Sequence, residues 1–236
     1  MGCVSSRPIP SEERAVMIAE EGLFFHIHYA SRIDSVVRKF SCNGKLNDSQ
    51  VQRVADTLRI KTSNHGNHTK ISLMFEKLQN DGQYDMKDLL IVGILLGKGT
   101  PSQKANLIYQ VFDESLSNNI PIKKLKEQVF KKLCHHSVFT LGNLVSTGQS
   151  PISNELKTNK YISELSEVET LCINKLSEEI AQLQKDIDEE VFTSYMSKCM
   201  DGALVSATGW RTYLHQIYVS NPPRKKWPNP YSSIGN

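Results

Sequence analysis

Short turns that join a Gly or Asn, a polar residue and then an aliphatic or aromatic one recur along this chain. Helical sequence stands on both sides of each, which constrains the fold more than any other feature. Gly44-Lys45-Leu46, Gly82-Gln83-Tyr84 and Asn118-Asn119-Ile120 are separated by steps of 38 and then 36 residues, the spacing of tandem helix-turn-helix units with short linkers. Gly202-Ala203-Leu204 echoes the pattern after a further 84 residues, a gap that holds an insertion beginning at His135. An all-α fold of paired helical hairpins follows.

Capping signals and apolar spacing divide the chain further. Ser11 before Glu12 and Glu13 reads as a helix start, and Val16, Leu23, Phe24, Ile27, Ile33, Val37 and Phe40 carry one helix to about Phe40. Helices are also expected over about 48–60, 69–78, 121–134 and 208–218. The run Leu89 to Leu96 suits a buried helix or a strand, and its neighbours favour helix. Gly97-Lys98-Gly99 ends it, and Thr100-Pro101 opens the next helix, to Phe112. Leu165, Val168, Cys172, Leu176, Ile180, Leu183, Ile187, Val191 and Tyr195 recur at three- and four-residue steps, predicting one long amphipathic helix. That helix either packs on its own domain or mediates assembly with a partner, as in a helical scaffold. The resulting division is an N-terminal segment 1–10, three units over 11–134, an insertion 135–185 with the long helix, a fourth unit 186–218 and a basic tail 219–236.

The chain begins Met1-Gly2-Cys3-Val4-Ser5-Ser6, the acceptor pattern for myristate on Gly2, with Cys3 placed for palmitate. One acyl chain holds a bilayer only marginally, so a second signal is needed for stable residence. No secretory leader pattern precedes it, and the five cysteines form no repeated short spacing. A peripheral, lipid-anchored position on the cytoplasmic face of a membrane is the expectation.

With this start, the four turns and Leu95-Leu96-Gly97-Lys98-Gly99-Thr100 as a link between two lobes, the sequence resembles the EF-hand superfamily over about Ile33 to Tyr218. It is most similar to myristoylated four-hand calcium sensors of the recoverin type and their calcineurin-B-like relatives. The resemblance implies calcium loops with oxygen ligands and a bidentate acid at the twelfth position. The third loop matches best, with Asp113, Ser115, Ser117 and Asn119 at ligand positions and Ile120 at the eighth, while the second retains Asp81 and Asp88. Position twelve, however, falls on Gln50, Asp88, Lys124 and Thr208, so weak calcium binding or none is expected. The implied role is a regulatory or adaptor protein that receives a partner through its long helix or an apolar groove. Met74 and Met86 suit such a groove or a closed core.

Other chemistries find little support. A net charge of +3 and pI near 8.5 fall short of the concentrated basic stripe of nucleic-acid binders. His26-x-His28, His65-x-x-His68 and Cys134-His135-His136 lack a second pair at zinc-ligand spacing. No phosphate loop, nucleophile elbow or paired catalytic carboxylate motif is present, and the chain reads as a non-enzyme.

Overall fold

The computed structural model describes residues 9–60, 70–145 and 152–222. The chain enters through α1 (Ser11–Glu21) and α2 (Ala30–Phe40), and the first turn follows. Asn43 and Gly44 both take left-handed backbone angles, φ 50° and 74°, and Asp81 and Gly82 repeat the pair at 49° and 72°. This is the two-residue hairpin geometry that Asn-Gly and Asp-Gly favour. Cys42 and Lys45 exchange backbone hydrogen bonds of 2.8 and 3.0 Å across the first hairpin.

The first hairpin leads into β1 (Lys45–Asn47) and α3 (Asp48–Thr57). The second joins α4 (Lys70–Leu78) and β2 (Gln79–Asn80) to β3 (Gln83–Asp85) and α5 (Met86–Leu96). β1 lies antiparallel to β3 with Leu46 opposite Tyr84, so two successive helical hairpins meet back to back. Caps fix where the helices begin: Asn47 and Gln50 exchange side-chain-to-backbone bonds of 3.0 and 2.8 Å at α3, a capping box. α5 is apolar nearly all round, and Leu89 to Leu95 are buried. Gly93 lets α2 approach it, since a Cβ there would lie 2.5 Å from Ile33 Cγ2.

The second half repeats the plan with longer connections. α6 (Pro101–Phe112) starts at a Thr100/Gln103 capping box with proline at its first position. It runs through a seven-residue loop into β4 (Ile120–Pro121) and α7 (Ile122–Lys124). The same helical path continues through α8 (Lys131–His135), with wider π turns over Leu125–Phe130 and His136–Thr140. After it come α9 (Ile152–Glu167), α10 (Glu169–Ala181), β5 (Asp186–Ile187), α11 (Glu189–Lys198) and α12 (Ala207–Ser220). β5 pairs antiparallel with β4, Ile187 opposite Ile120.

Three expectations change. The helix expected from Ser11 to Phe40 breaks between Glu21 and Ala30, where Lys98 N–H donates to His28 O and Ala30 N–H to Lys98 O, both at 2.7 Å. The long helix over Leu165 to Tyr195 is three helices: it bends at Val168 and stops at the β5 turn. Most of its apolar stripe is spent internally, since Leu165, Val168, Cys172, Leu176, Ile180 and Ile187 are buried and Val191 and Tyr195 partly so, while Leu183 is exposed. The third turn pairs with Ile187 and not with Leu204, which lies in a 3-10 segment over Cys199–Val205. Gly202 instead sits against Pro101, whose Cβ would be 2.5 Å from a Cβ placed there.

Candidate functional site

The third loop holds the densest polar constellation among the predicted ligand residues. Asp113 closes α6, and its carboxylate is buried and bound by the loop itself. Ser117 N–H and Oγ donate to Oδ1 at 3.1 Å each, and Asn118 N–H donates to Oδ2 at 2.8 Å. Ser115 Oγ lies 3.1 Å from Ser117 Oγ. Burial works against the charge on Asp113, but these donors prevail and hold its pKa below the ordinary carboxylate range. Leu116 and Asn118 take positive φ (52° both), which wraps the loop around the carboxylate. Asn119 contributes its backbone carbonyl, which accepts from Ser117 Oγ at 3.2 Å.

The place of a twelfth-position acid is held by Lys124, whose ammonium donates to Phe112 O at 2.7 Å and lies 3.9 Å from Glu114. A cation supplied by the chain thus neutralises an oxygen at the rim of the loop. The loop opens on a cleft of about 350 Å³ lined by Arg38, Tyr109, Gln110, Asp113, Leu116, Asn118 and Glu189. Asn118 Oδ1 accepts from Glu189 N–H at 3.1 Å, and Tyr109 OH donates to Ile187 O at 3.2 Å, so the third turn is tied to the fourth.

The first two loops leave less room. Four residues separate α2 from β1 and four separate α4 from β3, against seven between α6 and β4. Asp81 lies exposed in its hairpin. Asp88 turns away to accept from Lys132 Nζ and to meet His136 Nε2 at 3.1 Å. Burial raises the Asp88 pKa, but His136 and Lys132 outweigh it and hold it down to about 2. The two carboxylates therefore serve different contacts, and among the described residues no three His, Cys, Asp or Glu side chains converge on one point. Met74 is fully buried and Met86 packs half-buried against the core, so Met74 does not line an open groove. Gly2, Cys3, His65 and His68 lie outside the described residues.

A buried ion cluster escaped the sequence reading. Arg211 on α12 is wholly enclosed and grips Glu13 of α1 with two donors, Nε to Oε2 at 2.8 Å and Nη2 to Oε1 at 2.9 Å. Nη1 donates to Glu20 Oε1 at 2.7 Å and to Ser137 O at 2.8 Å. Tyr161 OH donates to Glu13 at 3.0 Å. The guanidinium thus ties α1, α12 and the π turn at 136–140 together, and Glu13 brings in α9 through Tyr161. Burial raises the Glu20 pKa, opposed by Arg211 and assisted by Glu13. The readable signal was two carboxylates seven residues apart, in line with Val16 on the buried face of α1.

Comparison with protein-family models, curated proteins and solved structures returns no match for this chain. No helix among the described residues is long and apolar enough to cross a membrane.

Proposed function

We propose that the chain is a regulatory or adaptor protein of the EF-hand type, held on the cytoplasmic face of a membrane by acyl groups on Gly2 and Cys3. The observation that carries this reading is the tandem pairing of turns, Leu46 with Tyr84 and Ile120 with Ile187. Such pairing is the role an EF-hand reserves for its eighth loop position. Calcium sensing is not the function we assign. The third loop satisfies Asp113 with its own donors, Lys124 carries a cation into the place of the closing acid, and the first two loops are short hairpins.

The partner is a protein segment that contacts the third-loop cleft, where Leu116 is 89% exposed beside Arg38 and Glu189. An assembly role for the long helix is less favoured, because most of its stripe is consumed in the core and Leu183 alone of it stands largely exposed. Fractionation of cells expressing the wild-type chain and Gly2→Ala, each with calcium and with chelator, tests the reading. Wild type is expected in the membrane fraction under both conditions and Gly2→Ala in the soluble one. Membrane retention of Gly2→Ala equal to wild type, or release by chelator alone, contradicts it.

A further inference from the structure

Half of the large apolar side chains that stand exposed among the described residues fall between Ile9 and Tyr29. Four gather about the end of α1: Ile18 is 65% exposed, Phe24 and Ile27 48% each, and Tyr29 65%. Their arrangement is imposed. Leu23 and Phe25 are anchored in the core at 0% and 1% exposure. Phe24 between them takes φ 62°, a region that bulky side chains rarely enter, and its ring faces solvent. Strain of this kind tends to persist where an exposed group has work to do.

The surroundings are cationic. Lys98 is bridged to Tyr29 by the linker hydrogen bonds, Arg32 and His26 are exposed, and Lys70 reaches to the side of Gly22. From Gly22 to Ile33 the sequence has no carboxylate. The nearest ones along the chain are Glu21, which is exposed, Glu20, which faces Arg211, and Asp34, which pairs with Arg38 at 2.8 Å. The positive field is felt by His28, whose pKa is lowered by burial and further by Arg32, Lys98 and His26.

We propose that the α1–α2 turn, with Phe24, Ile27 and Tyr29 inserting and Arg32, Lys98 and Lys70 around them, is a second membrane contact that docks on an anionic phospholipid bilayer. Apolar tips with Arg32, Lys98 and Lys70 about them, on a stretch from Gly22 to Ile33 that carries no carboxylate and has Glu21 at its edge, match the boundary between acyl chains and negative headgroups. The acylated end can share the plane: α1 is about 16 Å long, and the seven residues from Gly2 to Pro8 can reach at most about 24 Å. The proposal deepens the membrane reading above, and it is tested without the acyl groups so that the two can fail separately.

The experiment is flotation of the full unacylated chain, carrying Gly2→Ala, with phosphatidylcholine vesicles and with mixed phosphatidylcholine and phosphatidylserine vesicles. The chain is expected to float with the mixed vesicles only, and less at high salt. The pair Phe24→Ser/Ile27→Ser and the pair Arg32→Gln/Lys98→Gln should each weaken flotation about tenfold or more, with circular dichroism unchanged. Leu183→Ser, an exposed position elsewhere, should have no effect. Absence of flotation with mixed vesicles overturns the proposal, as does flotation that both pairs leave intact or that Leu183→Ser reduces equally. Binding of the patch to a protein in place of vesicles would appear as the first of these failures.

Discussion

Replacing Arg211 with Met removes the one cation between Glu13 and Glu20 while keeping most of the side-chain volume. Three charge-assisted hydrogen bonds to the two carboxylates are lost, together with the bond to Ser137 O. The larger effect is on what remains, because Glu13 and Glu20 are 1% and 8% exposed and would hold buried negative charge with no counter-ion. Stranding one side of a buried ion pair costs about 3–5 kcal/mol, set against a total stability of about 5–15 kcal/mol. In a chain of this length that corresponds to a fall in Tm of about 6–20 °C.

Urea unfolding followed by the emission of Trp210, fully buried beside Phe130, measures the loss. The neutral triple variant Glu13→Gln/Glu20→Gln/Arg211→Met should recover most of it, since no charge is left to desolvate. In Arg211→Met the stability should also rise as pH falls from 7 toward 5. A carboxyl whose folded pKa is raised contributes most when protonated and loses that contribution as pH rises through the folded value. Glu20 is already raised in the wild type. An Arg211→Met chain within about 1 kcal/mol of wild type, or a triple variant no better than the single one, would refute the reasoning.

Other perturbations follow from the same structure. Lys104 is buried, donates to Leu95 O at 3.0 Å, and is lowered by burial to about 8 from 10.5. Wild-type stability should therefore rise with pH between 8 and 10.5, by up to about 3 kcal/mol, and Lys104→Met should abolish that slope in urea titrations. Asp88, held down to about 2, should contribute about 2 kcal/mol above pH 3.8 that is lost as pH falls toward 2. Asp88→Asn should flatten this acid limb. Gly93→Ala should cost about 1–3 kcal/mol in thermal unfolding, because its methyl would meet Ile33.

Where local chemistry decides the backbone, the sequence was readable. Thr100-Pro101 opened α6 and Gly97-Lys98-Gly99 closed α5, each through a preference confined to a few residues, whereas the left-handed pairs Asn43-Gly44 and Asp81-Gly82 make tighter hairpins than the twelve-position loops expected around Gly44 and Gly82. Distant contacts were harder. The break after Glu21 depends on hydrogen bonds to Lys98 from far along the chain. The stripe through Leu183 and Ile187 keeps helical spacing across a turn, and hides it. Asp188, whose side chain accepts from Val191 N–H at 2.8 Å, was the missed start signal. Ile187 has no glycine turn to announce it, whereas Gly202 has one and serves as a packing notch. At the candidate site, Asp113, Ser115 and Ser117 hydrogen-bond with one another while Asp81 and Asp88 lie apart, and Arg211 stood unremarked because its partners lie at the opposite end of the chain.

The most direct test of the central claim, a helical-hairpin body completed by its own loop donors and Lys124 without metal, is calorimetric titration of calcium into the whole chain at neutral pH. Trp210 emission is recorded in parallel. The account predicts no saturable heat in the micromolar range of sensor loops and an unchanged spectrum. A stoichiometric micromolar transition that opens the third loop or shifts the indole would contradict it.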